Sequence, residues 1–541
     1  MTNAYGIKTL DTFHDTPGWA RPARDGKFGP TPYPTRLCEA GKSWAEIIRH
    51  YQPTLKALEV WNEPDLGFGA YLPAERVSSF THAVSRAVRE AGLDTLIVGG
   101  VFAHPWPGTA FQDAYIANAM LDGCDVMSYH TYAGVESMEP TIRGLREREL
   151  ALKHPRAGIP IWITECGTPW YRRGDRAVVA EDIVSAAGIV GKALEFKALG
   201  VERYFAFEYK YYQEGEKNFG MMDYHHTPMR SMAAYTFAAR LFAGKEYIGD
   251  LAGTAARRAR VFSDGENAVV FFYQPGKNAE IVLPHGIVGA LLGIDGRPLP
   301  ATEEKFRCPD RIAYLLLPAK ALEGRVKKDT PAMKYNTLAR NFDRAPRRTA
   351  PVIFRSELDV SNMTFNPFGY NVRDFHDAHF DVELLNCSVS PRTVRPELNV
   401  PEGVRILENV PTEVKLAPGG SAKLSFRVFI SPDANKGEFK LLQLSDRNGN
   451  ALPFAFSVRA WEMLLKEVPP LPKTPKEFKL SELLAATDWT DFSASENWKS
   501  WQGGGNRARY RSAIPRLSRR RQASDSGAGE RPIVPPALSG A

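Results

Sequence analysis

Six apolar strand-like segments alternate with six amphipathic helix-like segments over residues 1–245, and this alternation restricts the fold more than any other feature of the sequence. The helix patterns carry apolar residues at spacings of three and four, as in Val77, Phe80 and Val84, and the strand patterns end in turn residues. Repeated strand–helix units favour a parallel α/β fold. The sequence therefore predicts a domain of the α/β class over this region.

Two α/β architectures fit the alternation, a (β/α)8 TIM barrel and an open doubly wound sheet. The barrel needs eight units, so six units predict a TIM barrel whose first two strand–helix units are missing. We interpret this as an incomplete N-terminus, from a start-site error or a truncated reading frame. A barrel without two strands would expose sheet edges, and we expect such a chain to fold poorly. On the alternation of strands and helices by itself, the open sheet also remains possible.

All-β patterns follow the barrel region, with short strand-like segments separated by turn residues. Residues 246–320 predict a small β domain appended to the barrel, and residues 351–465 predict an immunoglobulin-like β-sandwich. A Lys/Arg/Pro-rich connection, residues 321–350, separates them. Residues 466–504 contain a stiff proline-rich linker and the start of a further β domain. Residues 505–541 form an Arg-rich tail that is either disordered or translated out of frame.

The net charge of +7 is concentrated in this tail, because residues 505–541 carry +6 and the rest of the chain carries +1. A nucleic-acid partner is therefore not expected for the body of the protein. No apolar run of about 18 residues predicts a membrane span. The first residues lack the basic start and apolar stretch of a signal peptide.

The five cysteines are scattered, odd in number and without CxxC spacing. Neither a disulfide scaffold nor a zinc site is indicated by such a pattern. The cysteine pattern therefore does not indicate whether the protein works in an oxidising or a reducing compartment.

Two glutamates stand at the ends of strand-like segments. Glu63 follows an apolar run and precedes Pro64, which cannot continue a strand. Glu165 ends a second apolar run and precedes Gly167, which turns the chain. Barrel enzymes place their chemistry at the C-terminal ends of strands, and two carboxylates are the minimal equipment for cleaving a glycosidic bond.

The run Trp61-Asn-Glu-Pro-Asp65, together with Ile163-Thr-Glu165, resembles the retaining glycoside hydrolases of clan A, and families 39 and 5 most. The resemblance covers roughly Gly6 to Phe242. It implies double-displacement cleavage of β-glycosidic bonds in a polysaccharide or oligosaccharide, without metal or cofactor. It also implies a carbohydrate partner, no membrane partner, and a secreted or periplasmic protein.

In the pattern of that clan, Glu63 is the general acid/base and Glu165 the nucleophile. The acid must stay protonated through desolvation or a neighbouring negative charge, whereas the nucleophile must stay ionised through surrounding donors. Asn62 resembles the asparagine that bonds the 2-hydroxyl of the sugar. His130 and Tyr132 occupy the place of residues that touch the sugar and orient the nucleophile, with strand-end packing as the alternative.

His14, which follows the first strand, is expected to contact the substrate. Trp170 and Tyr171 follow Glu165, and their rings are expected to stack on a sugar. Ordinary packing is the alternative for each of these residues. Many clan members carry a tryptophan at the end of the last barrel strand, where this chain has Phe205-Ala-Phe-Glu-Tyr-Lys210. Phe207 or Tyr209 is expected to replace that ring, with Glu208 and Lys210 near hydroxyls or a substrate carboxylate.

Two other functions compete with hydrolysis. A catalytically inactive carbohydrate-binding protein would use the same site to hold glycan without cleaving it. Nucleic-acid binding through the Arg-rich tail would depend strongly on salt. The sugar, endo or exo action and the oligomeric state are not predicted by the sequence.

Overall fold

The computed structural model describes residues 5–20, 33–104, 110–171, 174–276, 278–302, 304–344, 346–357, 363–373, 377–431 and 437–461. Residues 1–463 form one compact unit. Residues 464–541, with the predicted linker of residues 466–504 and the Arg-rich tail of residues 505–541, lie outside the described residues.

The predicted alternation of strands and helices is confirmed over the first part of the chain. In order, its elements are β1 (Thr9–Phe13), α1 (Leu37–Tyr51), β2 (Leu55–Val60), α2 (Ala74–Glu90), β3 (Leu96–Phe102), α3 (Ala110–Ala117), α4 (Met120–Gly123), β4 (Val126–His130), α5 (Met138–Ala151), β5 (Ile161–Cys166), β6 (Trp170–Tyr171), α6 (Val179–Ala198), β7 (Arg203–Ala206), β8 (Gln213–Glu214), β9 (Lys217–Asn218) and α7 (Arg230–Leu241). Short 3₁₀ turns cover Gly18–Ala20, Gly67–Gly69 and Val135–Ser137.

Six of these strands form one parallel sheet in the order β1-β2-β3-β4-β5-β7. The order follows the chain without reversal, as in a barrel, whereas a doubly wound sheet changes direction at a switch point. Within the described residues no pairing joins β1 to β7, so the sheet is an open part of a barrel. Closure by two further units stays a prediction.

Helix periodicity explains how the helices cover the sheet. In α1, Leu37, Ala40, Trp44 and Ile48 recur at intervals of three and four, and all are buried. They join a large apolar core between helices and sheet. The opposite face of the sheet has a small cluster of its own, formed by Ala57, Val98, Val126 and Trp162.

Antiparallel strands follow α7. They are β10 (Glu246–Leu251), β11 (Arg258–Ser263), β12 (Asn267–Tyr273), β13 (Ala279–Val282), β14 (Ala290–Gly293), β15 (Ala301–Thr302), β16 (Lys305–Cys308), β17 (Ile312–Pro318) and β18 (Val326–Lys327), with a 3₁₀ turn at Ala319–Leu322. They form a six-stranded sheet, β14-β17-β12-β11-β10-β18, and a three-stranded sheet, β13-β16-β15. The buried guanidinium of Arg260 on β11 pairs with Glu195 on α6, at 2.9 Å, and so ties the larger sheet to the barrel helices.

The segment 321–350, predicted as a connection, contains regular structure. Besides β18 it forms α8 (Pro331–Arg340), whose N-terminus is capped by the side chain of Thr330. The amide of Asn336 donates to the carbonyl of Ala198 at 3.1 Å, so α8 packs on α6. The basic, proline-containing composition suggested a linker, but Pro331 stands at a helix start, where proline is well tolerated.

The last strands are β19 (Val352–Glu357), β20 (Met363–Asn366), β21 (Gly369–Arg373), β22 (Asp377–Asn386), β23 (Arg392–Val394), β24 (Pro396–Asn399), β25 (Val404–Glu408), β26 (Val414–Leu416), β27 (Ser421–Ile430), β28 (Lys440–Asp446) and β29 (Phe454–Trp461). They make sheets β19-β22-β27-β25 and β20-β21-β29-β28-β24, and a β23-β26 pair. Both large sheets contribute to one apolar core, as in a sandwich. The immunoglobulin-like assignment stays a prediction.

A disulfide bond joins Cys38 on α1 to Cys387, directly after β22. The expectation that the cysteines indicate no disulfide is therefore wrong for this pair. The partners lie 349 positions apart, and only the folded chain brings them together. The other cysteines, Cys124, Cys166 and Cys308, are free and buried. No helix in the described part of the chain combines the length and apolar character needed to cross a bilayer.

Candidate active site

Glu63 is held by the turn that ends β2. Trp61 and Glu63 both have positive φ angles, 81° and 41°, so the chain bends sharply there. The backbone N–H of Glu63 donates to the carbonyl of Val101 at 3.1 Å. Asp65 accepts hydrogen bonds from the backbone N–H groups of Ala103 and His104, each at 2.9 Å. The end of β2 is thereby tied to the end of β3, which holds Glu63 in place.

Glu165 is held by close packing at the ends of β5 and β7. A Cβ atom on Gly167 would lie 2.3 Å from the carbonyl oxygen of Phe207, so only glycine fits at this crossing. The buried ammonium group of Lys192 donates to the Gly167 carbonyl at 2.7 Å. The turn that follows the glutamate is therefore supported from both the β7 side and the α6 side.

The two glutamates meet at His130, the last residue of β4. Its Nδ1 atom lies 3.0 Å from Oε1 of Glu63 and 3.6 Å from Oε2 of Glu165. One carboxylate oxygen of each glutamate and a ring nitrogen of His130 all lie within 4.8 Å of one another. Residues from three strand ends, 102 positions apart at the extremes, thus form a single cluster.

Tyr132 completes this cluster from the loop after β4. Its hydroxyl donates a short hydrogen bond to Oε1 of Glu165, while its ring is 41% exposed. Burial and the Glu165 carboxylate raise the pKa of the Tyr132 hydroxyl well above its ordinary value. Tyr132 is therefore a neutral donor to Glu165.

The charges of these groups are coupled. Burial raises the pKa of Glu165, against the lowering effects of His130 and Tyr132, and the Glu63 carboxylate raises it further. Burial lowers the pKa of His130, but the hydrogen bond with Glu63 and the charges of Glu165 and Glu59 outweigh burial and raise it. The donors expected around Glu165, His130 and Tyr132, therefore oppose the rise in its pKa but do not cancel it.

Glu59 belongs to the site but was missed at the sequence level. It lies on β2 with only 3% exposure, and Oε2 accepts a hydrogen bond from Thr12 Oγ1 at 2.8 Å. A charged residue within an otherwise apolar strand was the available signal. Its carboxylate adds a negative charge near His130.

Of the other residues predicted to bind substrate, Asn62 lies next to the carboxylate cluster and, in the described part of the chain, His14 does not contact it. Asn62 is half-buried on the same turn as Glu63, which keeps it at the site. His14 follows β1 and is exposed; its ring packs edge-on against Phe68, with centroids 5.7 Å apart. Within the described residues we find no contact between His14 and either carboxylate.

The predicted stacking role of Trp170 is wrong. Its side chain is 1% exposed and its indole N–H donates to the carbonyl of Gly220 at 3.2 Å. β6 pairs with β9, so the chain segment that contains Gly220 covers the ring. The neighbouring Tyr171 is exposed.

Phe207 and Tyr209 follow β7. The Phe207 ring makes an edge contact with Tyr132, with centroids 6.2 Å apart, which brings it next to the Glu165 side of the cluster. Tyr209 lies two residues further on and is 60% exposed. Of the two, Phe207 is the ring that contacts the cluster.

The Glu63, His130 and Glu165 atoms are close enough for one cation to bridge them. The same spacing also serves a pair of carboxylates that share a reacting carbon atom. His130 Nδ1 already hydrogen-bonds Glu63, and Tyr132 already donates to Glu165.

No family model and no curated protein matches this chain. Among solved structures, it is similar to a family 39 glycoside hydrolase from the gut symbiont Bacteroides cellulosilyticus, with 16% identity, TM-score 0.46, and coverage of 58% of this chain and 69% of the other. A family 39 β-xylosidase from Caulobacter crescentus matches with 19% identity, TM-score 0.36, and coverage of 57% and 78%. A family 30 endoxylanase from Clostridium papyrosolvens matches with 13% identity, TM-score 0.38, and coverage of 59% and 81%.

Proposed function

We propose that this protein is a retaining glycoside hydrolase that cleaves β-glycosidic bonds of an oligosaccharide or polysaccharide. The observation that supports this is the short distance between Glu63 and Glu165, whose nearest oxygens lie within 4.8 Å of each other. Retaining enzymes hold their two carboxyl groups about 5 to 5.5 Å apart, whereas inverting enzymes leave roughly 6.5 to 9.5 Å for a water molecule.

In the first step, Glu165 attacks the anomeric carbon and Glu63 protonates the departing glycosidic oxygen. The bond between sugar and leaving group breaks as an ester bond forms between sugar and Glu165. Tyr132 donates to the other Glu165 oxygen and orients the carboxylate for attack.

In the second step, Glu63 takes a proton from water, which attacks the anomeric carbon and releases Glu165. Once Glu165 is esterified, its negative charge no longer raises the proton affinity of neighbouring groups. His130 Nδ1 lies within 3.0 Å of Glu63 Oε1 and 3.6 Å of Glu165 Oε2, so its charge acts on both side chains. The same residue is therefore able to act first as acid and then as base.

The remaining site residues bind the sugar. Asn62 lies on the turn with Glu63 and bonds the 2-hydroxyl in this proposal, a contact that strengthens in the oxocarbenium-like transition state. Phe207, whose ring contacts Tyr132, or Tyr209 provides the ring surface for the sugar. No metal or cofactor takes part in this mechanism.

The disulfide between Cys38 and Cys387 bears on where the enzyme works. Structural disulfides persist in oxidising environments and are rare in the cytosol. We therefore place the protein in the periplasm or outside the cell, where polymeric glycans are found.

Hydrolysis of aryl β-glycosides tests the proposal. Wild type should release the aglycone, while Glu63→Gln and Glu165→Gln should each lose at least about a hundredfold in rate, since a positioned acid or base contributes roughly 10²–10⁴-fold. Glu280→Gln, on the exposed surface of the β domain, serves as the matched control and should behave as wild type. If wild type and both site variants show equal background release while still binding glycan, the protein is an inactive carbohydrate binder.

A further inference from the structure

An exposed aromatic strip extends from the candidate nucleophile. Tyr132, which donates to Glu165, makes an edge contact with Phe207 at 6.2 Å between centroids. Phe207 in turn contacts Tyr212 at 5.2 Å. Tyr212, like Tyr132, leaves more than a third of its surface exposed. These three rings, called here the aromatic strip, therefore form a continuous surface that begins at the reacting carboxylate.

The aromatic strip is rigidly supported from below. Phe219 is buried and makes ring contacts with Tyr132 and Phe207, at 5.2 and 5.5 Å. The backbone N–H of Phe219 donates to the carbonyl of Tyr212 at 2.9 Å. Exposed rings that are fixed in this way lose little conformational entropy on binding, and a contiguous exposed apolar patch commonly marks a ligand groove.

Carboxylates line the edge of the aromatic strip. The Oε1 atom of Glu208 is buried, and it has no hydrogen-bond partner within the described residues. A buried acceptor without a partner costs free energy that a ligand hydroxyl would recover. The Glu214 carboxylate lies near the Tyr212 hydroxyl, and its charge acts on Glu165 and Tyr132. Carboxylate acceptors therefore lie next to the ring surface.

The charge balance at this place is negative. The carboxylates of Glu165, Glu208 and Glu214 lie at the aromatic strip, and two exposed lysines lie near them, Lys210 and Lys217, the latter opposite Glu214 in the β8–β9 pair. Solvent screens these lysines and the exposed Glu214 alike, so the half-buried Glu165 and Glu208 contribute most to the charge that a ligand meets. A carboxylate on a ligand would meet several like charges, and such contacts are strongly unfavourable in a partly buried site. Hydroxyl groups, in contrast, are suitable donors to these acceptors.

We propose that the aromatic strip with Glu208 and Glu214 is a subsite for uncharged sugar rings next to the scissile bond, so that the substrate is a neutral β-linked glycan chain and not a uronate polymer. This inference rests on the proposed hydrolase function for the location of the scissile bond. The apolar C–H face of a sugar packs on the rings, and its hydroxyls donate to the two glutamates. The subsite also explains why aromatic residues continue beyond β7.

Calorimetric titration tests the subsite with named probes. Xylotetraose, mannotetraose and cellotetraose serve as neutral ligands, and the C6-oxidised forms of the latter two, which are β-1,4-linked uronate tetramers, serve as matched anions. The Glu63→Gln protein is used to prevent turnover during the titration. We expect at least one neutral tetramer to bind, and its oxidised form or the other uronate tetramer to bind about tenfold more weakly, equivalent to ~1.4 kcal/mol.

Variants separate the subsite from general binding. Tyr212→Ala should weaken the neutral tetramer about tenfold, whereas Tyr212→Phe should retain its affinity because the ring remains. Glu214→Gln should reduce the discrimination against the uronate tetramers. Tyr51→Ala removes an exposed tyrosine at the C-terminus of α1, away from the site, and should leave affinity unchanged.

The results also separate this inference from the hydrolase proposal. Strip-dependent binding of a neutral tetramer without hydrolysis of any aryl glycoside would refute the hydrolase and retain the subsite. Hydrolysis without an effect of Tyr212→Ala on tetramer affinity would refute the subsite and retain the hydrolase. Failure of all three neutral tetramers to bind, or equal binding of the uronates, would also overturn the subsite.

Discussion

His130 Nδ1 lies 3.0 Å from Oε1 of Glu63, although the two residues end strands that are separated by a third strand in the sheet. The same nitrogen lies 3.6 Å from Glu165, so one imidazole stands between the proposed acid/base and the proposed nucleophile. His130 lowers the pKa of Glu165 and the Glu63 carboxylate raises it, while burial raises it most. These effects on Glu165 are the basis of the pH dependence expected for the proposed hydrolase.

Tyr132→Phe should shift the acid limb of the pH profile of kcat/KM to higher pH. Glu165 must be ionised to attack, so the rate rises with pH through its pKa. Burial already raises that pKa and the Tyr132 hydroxyl lowers it, so removing the hydroxyl raises it further. The loss of a charge-assisted hydrogen bond should also reduce kcat by about ten- to a hundredfold. Tyr51→Phe is the matched control, and an acid limb that stays in place or moves to lower pH would contradict this role.

Gly167→Ala should impair the site through the backbone. The new methyl group would lie 2.3 Å from the Phe207 carbonyl oxygen, so the turn after Glu165 must move. We expect a destabilisation of about 1 to 3 kcal/mol and a marked fall in kcat, measured by denaturant unfolding and aryl glycoside assays. Gly174→Ala is the control because nothing lies within 4 Å of its added Cβ atom. Wild-type kinetics for Gly167→Ala would show that this crossing does not position Glu165.

Reduction of the Cys38–Cys387 bond should lower the free energy of unfolding, while the elements that carry the two cysteines stay folded. A crosslink over 349 positions restricts the unfolded chain strongly, and native disulfides typically contribute about 2 to 4 kcal/mol. The unfolding midpoint should therefore fall when dithiothreitol is added. In a Cys38→Ser/Cys387→Ser variant the midpoint should already be low and should not respond to dithiothreitol. A response in that variant would assign the effect to another site.

Arg260→Met should be among the more destabilising single substitutions. Arg260 is buried and pairs with Glu195, which is fully buried, and with Asp250 at 3.0 Å. Removing the guanidinium leaves a buried carboxylate with less compensation, which costs about 3 to 5 kcal/mol. Lys305→Met removes an exposed ion pair with Glu280 and should cost about 0 to 1 kcal/mol. Equal unfolding midpoints for the two variants would contradict this assignment.

The alternation of strands and helices was predictable because apolar spacing determines both elements locally. The six-unit α/β interpretation rested on periods such as that of Val77, Phe80 and Val84 in α2, and the sheet order confirms the parallel α/β arrangement. Glu63 and Glu165 were found because each follows an apolar strand and precedes a strand-ending residue. These signals are local and depend on few neighbouring residues.

Other features depend on residues far apart and were not predictable. Trp170 looked available for a sugar, but pairing of β6 with β9 covers it. Cys38 and Cys387 lie 349 positions apart, and only the tertiary fold brings them together. The helix α8 was hidden by a basic, proline-containing composition. Tyr212 and Glu214 reach the site through a turn of short strands whose pairing no sequence period indicates.

Trapping the covalent intermediate tests the central claim most directly. The protein would be incubated with dinitrophenyl 2-deoxy-2-fluoro-β-xyloside and the corresponding glucoside, then digested and examined by mass spectrometry. We predict a fluoroglycosyl adduct on the peptide that contains Glu165, formed by the wild type and absent from Glu165→Gln. Hydrolysis of aryl glycosides with no adduct, an adduct on another residue, or a first product of inverted anomeric configuration would contradict the account.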